Sequence, residues 1–301
     1  RNSKFEIGPK ARVEFDLPVT IPHVSVNASG VTLYSVIVRG TWIAHKLTNK
    51  FRWNKLVIDT LGVLRLLPIG LFPVDSVTVN GHLFVQNTIF LRGIGNFVIG
   101  PQAFVEFGLK PLTQHTITGN ISKVEYRSVI VQGTWKPKKL SILSGWRNLL
   151  IDQNGLLRVL PIGYFAIDEI TVKGQLLVES TIALRGSKSF SVTQKARVEF
   201  DINPTVPYKP MENYSELSSY STVTIEGSWQ AQKLSIAPGW SRLFIGTQGL
   251  LRMLPVGKFN IDGIIVKGKL LVERTIKLKG KKGLKTNIRI DLGGIMRFDL
   301  N

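Results

Sequence analysis

Short runs of alternating apolar and polar residues fill almost the whole chain, and glycine, proline or asparagine separates one run from the next. Alternation with a period of two places the apolar side chains of a β-strand on one face. Helical periodicity is almost absent. The pattern therefore predicts an all-β chain whose strands are too short to be stable alone. The apolar pairs of one typical stretch, which begin every six to eight residues, are Ile170/Val172, Leu176/Val178, Ile182/Leu184, Phe190/Val192 and Val198/Phe200.

A unit of about 93 residues occurs three times. The segment SVIVRGTW, which ends at Trp42, returns as SVIVQGTW ending at Trp135 and as STVTIEGSW ending at Trp229. Residues 1–16 resemble residues 185–201, so we interpret them as the closing segment of a preceding repeat. A repeat found at a fixed period indicates stacked or tandem units. We expect one continuous solenoid divided into residues 1–16 (closing segment), 17–109 (repeat 1), 110–202 (repeat 2) and 203–301 (repeat 3).

Two folds fit a unit of this length. Strands that recur this often favour a parallel β-solenoid, in which ~20–23 residues form one coil and a repeat holds about four coils. A β-sandwich domain has a similar length, but its strands recur about every 8 to 12 residues. The shorter spacing favours the solenoid, and tandem β-sandwich domains are the alternative.

Runs such as ITVKGQLLVESTIALRG and LLIDQNGLLRVLPIG resemble those of extracellular right-handed parallel β-helix proteins of the pectin-lyase-like and fibrocystin types. The resemblance covers nearly the whole chain and implies coils of short parallel strands. It also implies that an enzyme of this kind would assemble its site from isolated residues on neighbouring coils.

Basic residues exceed acidic residues in every copy. The chain has 39 Lys and Arg against 20 Asp and Glu, which gives a formal net charge of +19. The excess is 6 in residues 1–93, 4 in residues 94–186 and 9 in residues 187–301. Such a surface attracts polyanions at contact range even where salt screens charges beyond ~8 Å. We predict polyanion binding by the densest stretch, through Lys267, Lys269, Lys277, Lys279, Lys281, Lys282, Lys285 and Arg289.

A sequon for N-glycosylation ends the proline-containing segment before each copy, at Asn27, Asn120 and Asn213. The spacing is 93 residues both times, and the middle residue of the sequon differs between copies. We therefore expect glycosylation at all three sites and a secreted, extracellular protein. No stretch approaches the ~20 apolar residues of a membrane span. The chain begins at Arg1, and we expect a processed product or a fragment.

Four further sets of residues recur in register. Four stacked coils would hold the members of the acidic set about 19 Å apart, too far to share a metal or a substrate atom, so we expect a turn or cap role. The arginines either form a basic ladder or each pair with a local carboxylate or carbonyl. The tryptophans either pack in the core or offer a platform for sugars. These sets are Asp75/Asp168/Asp262, Arg65/Arg158/Arg252, Trp42/Trp135/Trp229 and Trp53/Trp146/Trp240.

Enzyme chemistry has no positive signal in the sequence. The familiar catalytic and nucleotide-binding motifs are absent, and the histidines at 23, 45, 82 and 115 occupy no repeated position. We expect a structural protein without catalytic residues, cofactor, metal or nucleic acid. It would self-associate end to end into a rigid filament or matrix and bind an anionic polysaccharide, an acidic matrix protein or a mineral such as silica. The alternative is a carbohydrate-binding or carbohydrate-cleaving β-helix ectodomain.

Overall fold

The structure is a computed structural model. It describes residues 4–15, 29–30, 35–48, 53–68, 71–86, 89–108, 122–137, 140–142, 145–161, 164–202, 215–274, 276, 278–280 and 286–298. In these ranges all regular secondary structure is β, and the strands pair in parallel to form a β-solenoid of about ten turns. The predicted fold class is confirmed, and the tandem β-sandwich alternative is wrong because a sandwich is built from antiparallel strands.

The chain divides into two compact units, unit 1 (Arg1–Ser144) and unit 2 (Gly145–Asn301). The boundary falls inside the second repeat, so the units do not coincide with the copies seen in the sequence. Each unit is itself a stack of parallel coils. The assignment of repeat bounds and the continuity of the whole solenoid stay predictions.

Unit 1 holds sixteen described strands. Their bounds are β1 (Lys4–Ile7), β2 (Arg12–Phe15), β3 (Ser29–Gly30), β4 (Ser35–Val38), β5 (Thr41–Thr48), β6 (Trp53–Ile58), β7 (Val63–Pro68), β8 (Leu71–Val79), β9 (His82–Val85), β10 (Phe90–Arg92), β11 (Asn96–Ile99), β12 (Phe104–Phe107), β13 (Ser122–Glu125), β14 (Ser128–Val131), β15 (Thr134–Pro137) and β16 (Leu140–Ser141).

Unit 2 holds fifteen described strands. Their bounds are β17 (Trp146–Ile151), β18 (Leu156–Val159), β19 (Tyr164–Val172), β20 (Gln175–Val178), β21 (Ala183–Arg185), β22 (Ser189–Val192), β23 (Arg197–Phe200), β24 (Ser215–Ser218), β25 (Thr222–Ile225), β26 (Ser228–Ile245), β27 (Leu250–Val266), β28 (Lys269–Val272), β29 (Leu278–Lys279), β30 (Asn287–Ile290) and β31 (Ile295–Phe298).

The register of the strands gives the length of each coil. Val36 pairs with Leu56, Leu56 with Val77 and Val77 with Phe97. Each of these steps covers roughly 20 residues, the lower end of the range expected for a repeating coil. Phe97 then pairs with Val129, which is a longer step. Four steps therefore complete one repeat, which confirms the prediction of about four coils. The stretch of chain between Phe97 and Val129 contains residues 109–121, which lie outside the described residues.

Each coil contributes to three sheet faces. In unit 1 the first face contains β1, β4, β6, the end of β8, β11 and β14. The second contains β2, the start of β5, β7, β9, β12 and β15. The third contains β3 with the end of β5, the start of β8, β10, β13 and β16. In unit 2 the first face runs from β17 to β30, the second from β18 to β31 and the third from the start of β19 to β29.

Buried and more exposed side chains alternate in most of the strands that the structure describes, for example in β4, β11 and β22, whereas all four residues of β30 are exposed. In β8 the residues on either side of the bend at Asp75 and Ser76 keep this alternation, and both bend residues are half-buried. All six tryptophans of the repeated sets are buried, with at most 1% of their surface exposed. Their rings contact one another, with centroids 6.2 Å apart for Trp42 and Trp53 and also for Trp229 and Trp240. Aromatic rings at this spacing add to the free energy of burial.

Glycine is required where the chain turns between the first and second faces. A Cβ atom at Gly81 would lie 2.2 Å from the carbonyl oxygen of Gly62 and 2.3 Å from that of Asp59. Consecutive coils approach through their backbones at this corner, so only glycine fits. The recurrent glycines after the first strand of each coil thus follow from the stacking distance.

Candidate functional site

The predicted polyanion-binding cations that the structure describes lie on different faces of the coil. Four others, Lys277, Lys281, Lys282 and Lys285, lie outside the described residues. Lys269 begins β28 on the second face, Lys279 ends β29 on the third face, and Arg289 belongs to β30 on the first face. The described cations of this stretch are therefore distributed around the coil and not concentrated on one side.

An acidic residue neutralises part of this charge. The Arg289 Nε atom lies 2.6 Å from Asp291 Oδ1, and the Lys267 Nζ atom lies 3.8 Å from Asp291 Oδ2. Lys267 also lies over the ring of Phe244, 5.7 Å from its centroid. Lys269 and Lys279 are exposed. The sequence count thus overstates the charge that Lys267 and Arg289 offer to a partner.

The three predicted glycosylation sites, Asn27, Asn120 and Asn213, lie outside the described residues. In two copies the side chain of the sequon serine is described. Ser122 begins β13, Ser215 begins β24, and both serines are buried. Ser122 Oγ accepts a hydrogen bond from the Ile89 backbone N–H at 3.3 Å, and Ser215 Oγ accepts one from Ile182 at 3.1 Å. The recurrence of serine therefore has a structural cause in its own right, and glycosylation stays a prediction.

Burial decides the role of the recurrent tryptophans. None of the six exposes a ring face to solvent. The alternative of a sugar-stacking platform made of these residues is wrong, because a sugar has no access to them. They are core residues.

The recurrent arginines pair locally in two copies. Arg158 Nε donates to Glu179 Oε1 at 2.6 Å, and Arg252 Nε donates to Glu273 Oε1 at 2.7 Å. In each case the glutamate directly follows the strand of the next coil that pairs with the strand of the arginine. Arg65 instead lies over the ring of Phe84, 5.5 Å from its centroid. These contacts favour the local role over a basic ladder.

Asp168 of the recurrent acidic set lies at a bend between two faces. Its Oδ1 atom accepts a hydrogen bond from Ser187 Oγ at 2.7 Å, and its backbone carbonyl accepts one from the N–H of Lys188 at 3.0 Å. Both donors come from the next coil. The carboxylate therefore connects stacked bends, as a structural role requires.

Unit 2 contains a cleft that was not predicted from the sequence. Its volume is about 400 Å³, and it opens beside the end of β23. Carboxylates from the coil of β23 and from a later coil face it together with an arginine. The lining residues are Glu199, Phe200, Asp201, Ile202, Gln230, Ala231, Gln232, Arg252, Leu254 and Glu273.

The carboxylates of this cleft differ in their surroundings. Glu199 Oε1 lies 2.7 Å from Arg197 Nη2, and Glu273 pairs with Arg252. Asp201 is buried, with 8% of its surface exposed. Burial raises the pKa of Asp201, and the positive charge of Lys233 opposes this rise. The cleft thus combines Asp201, whose pKa is raised, with Glu199 and Glu273, which each form an ion pair with an arginine.

The backbone explains why Asp201 follows a strand. Its φ is +62°, and Gly108 at the equivalent position of the preceding copy has a φ of +76°. Glycine and aspartate are among the residues that tolerate this left-handed conformation. The chain leaves the second face at this position. In the sequence, the position is marked by the residue that follows the repeated segment VEF, which is glycine or aspartate.

The described residues contain no group of three or more His, Asp or Glu side chains able to hold a metal ion. No helix long and apolar enough to cross a membrane occurs in this part of the chain. Comparison of the chain with family models, with curated proteins and with solved structures finds no match.

Proposed function

We propose that this protein is a non-enzymatic, extracellular and glycosylated repeat protein whose β-solenoid forms a rigid filament or matrix scaffold. Its basic surface binds an anionic partner. The observation that carries this proposal is the distribution of exposed cations over all three faces of unit 2, with Arg242 on the first, Lys269 on the second and Arg185 on the third. A scaffold that binds polyanions on several sides needs cations on each of its faces, whereas an enzyme with a single catalytic groove does not.

An exposed apolar coil supports the assembly part. Ile288 pairs with Ile264 and Ile290 pairs with Val266, and both partners are buried. Ile288 and Ile290 themselves are 46% and 51% exposed. Among the described residues, β30 pairs only with β27 and β31 only with β28, and strands at the end of a stack can pair with a further coil. We propose that another coil stacks on β30 and β31, as coils do throughout the unit.

Assembly is tested by electron microscopy and light scattering of the purified protein over a range of concentrations. We expect rods that lengthen end to end. The double variant Ile288→Lys/Ile290→Lys should prevent lengthening, whereas Leu292→Lys, which changes a fully exposed turn residue next to β30, should not. Particles of one unchanging length at every concentration would overturn the assembly part.

Binding of the anionic partner is tested with heparin, alginate, polyglutamate and silica particles at increasing salt. We expect binding to at least one of them that weakens as salt screens the charges. Absence of binding to all four at low salt would overturn the binding part.

The cleft of unit 2 favours a second candidate, a carbohydrate-binding or carbohydrate-cleaving β-helix ectodomain of the pectin-lyase-like kind. A buried carboxyl group of raised pKa, in one cleft with two glutamates that pair with arginines, is suited to proton transfer on a sugar chain. Degradation of acidic polysaccharides by the purified protein would support it, provided that Asp201→Asn abolishes the activity. Unchanged chain length after prolonged incubation would exclude the cleaving form.

A further inference from the structure

Three aromatic rings lie together on the outside of the second face of unit 1. We call His82, Phe84 and Phe104 the aromatic platform. The ring of His82 is nearly parallel to that of Phe84, with 6° between the planes and 5.9 Å between the centroids. Phe104 lies 5.9 Å from Phe84 and 6.4 Å from His82. His82 is exposed and both phenylalanines are partly exposed.

A cation lies over each of the two phenylalanines. Arg65 Cζ is 5.5 Å from the centroid of Phe84, and Lys136 Nζ is 5.5 Å from the centroid of Phe104. Arg65, Phe84, Glu106 and Lys136 occupy one outward row, each paired with the next. With coils ~4.8 Å apart, the Cα atoms of Arg65 and Lys136 lie about 14 Å from each other along the row. The aromatic platform therefore has a positive group at either end.

The fold does not depend on this cluster. At the positions of His82 and Phe84, repeat 2 has Gln175 and Leu177, and these residues also lie on a second face formed by parallel strands. The position of Phe104 is occupied by Arg197. Since the same sheet forms without the rings, stability of the sheet does not explain them.

We propose that the aromatic platform binds an anionic glycan, a proposal that rests on the proposed function and names its site. The apolar faces of sugar rings would lie on His82, Phe84 and Phe104, because the negative faces of aromatic rings attract C–H groups. Carboxylate or sulfate groups of the glycan pair with Arg65 and Lys136. Glu106 accepts hydrogen bonds from sugar hydroxyl groups.

The chemistry of the cluster selects this ligand among the anionic partners. A mineral surface or a polyphosphate presents charge without apolar faces, so it gains nothing from three rings. A neutral glycan gains nothing from the two cations. Only a chain with both features uses the rings and the cations together.

The test compares the wild type with the double variant His82→Gln/Phe84→Leu, which carries the residues of repeat 2 and should therefore fold. Calorimetric titration with heparin, alginate, dextran and polyphosphate gives the affinities, and thermal unfolding verifies the fold. We expect binding of heparin or alginate to weaken about tenfold and binding of polyphosphate to stay unchanged. The matched control, Gln175→Ala/Leu177→Ala, should leave all affinities unchanged.

The outcomes separate the platform from the proposed function. Wild-type binding of heparin or alginate that the double variant leaves unchanged would overturn the platform alone. An equal loss of affinity for polyphosphate would also overturn it. The substitution would then weaken the binding of any polyanion, and the rings would not contact sugar. Absence of wild-type binding to every anionic probe, polyglutamate and silica included, would overturn the binding part of the proposed function and the platform with it.

Glu106 provides a second and independent test. The variant Glu106→Gln removes a negative charge between Phe84 and Lys136 but keeps a hydrogen-bonding side chain. We expect the affinity for the anionic glycan to increase about two- to fivefold at low salt. This difference between variant and wild type should disappear as salt screens the charges. Unchanged affinity at low salt would place the glycan elsewhere.

Discussion

The inward and outward rows of the coils have diverged to very different extents among the three copies. Inside the coils, tryptophan recurs at 42, 135 and 229, and again at 53, 146 and 240. Outside, the position of Phe84 holds Leu177 and then Leu271. Inward side chains must fit a closed stack, where any change of volume leaves a cavity or a clash. Outward side chains meet solvent, so they are the positions at which one copy can acquire a property that the others lack.

Truncation of an inward ring should have the largest effect. Trp229 is buried against Phe190, Phe200 and Trp240, with centroids 4.9 to 6.2 Å away. We expect Trp229→Ala to lower the free energy of unfolding by about 3–5 kcal/mol. Chemical denaturation measures this change. The neighbouring outward variant Gln230→Ala should change it by less than about 0.5 kcal/mol, and similar losses for both variants would contradict the comparison.

The buried serine of a sequon should have the next largest effect. Ser215→Ala leaves the N–H of Ile182 without its acceptor, at an expected cost of about 1–3 kcal/mol. Asn213→Gln removes the glycosylation site and keeps the serine, so unfolding of unglycosylated protein should not change. Mass spectrometry of the secreted wild type, Asn213→Gln and Ser215→Ala proteins decides glycosylation separately. If Ser215→Ala is as stable as the wild type, the structural reason for the recurrent serine is wrong.

An outward ion pair should contribute little. Arg252 and Glu273 have side chains that are 52% and 30% exposed, and pairs in such surroundings contribute no more than about 1 kcal/mol. We expect Arg252→Met to lower stability by that amount at most, as measured by denaturation at low salt. The difference between variant and wild type should shrink at high salt. A loss above about 2 kcal/mol would show that this outward pair behaves like a core contact.

The smallest effect should be a gain. Because the pKa of Asp201 is raised above the ordinary value of 3.8, the proton is bound more tightly in the folded protein, and this contribution to stability is lost as the pH rises through the folded pKa. Asp201→Asn stays neutral and suits a φ of +62°. We expect its thermal midpoint to exceed that of the wild type by about 1–3 °C at pH 7. At pH 3 the difference should vanish, and a difference that does not depend on pH would contradict the role of the charge.

The accuracy of the sequence predictions follows the same division between rows. Alternating runs such as Phe190/Val192 and Val198/Phe200 identify strands and their buried sides, because burial imposes the period of two. The repeat gives the number of coils. The cations of residues 267–289 are adjacent in sequence, yet Lys269, Lys279 and Arg289 lie on three different faces. Distance along the chain does not give distance across a coil.

Single outward residues were the least predictable. His82 occupies no repeated position, so the sequence gives no reason to connect it with Phe104, which belongs to the next coil. Only the register that pairs them in neighbouring strands brings the two rings together. Asp201 and Glu273 are distant along the chain and face one cleft for the same reason.

The sequence by itself determined that this protein is all-β, that its strands repeat in coils, that its tryptophans recur in register and that its charge is strongly positive. These properties follow from local alternation, from self-similarity and from counting. Tertiary structure alone decided which residues meet on an outer face, because stacking joins residues that are a whole coil apart in sequence and each turn of the chain assigns them to a face. The aromatic platform and the cleft exist through that stacking.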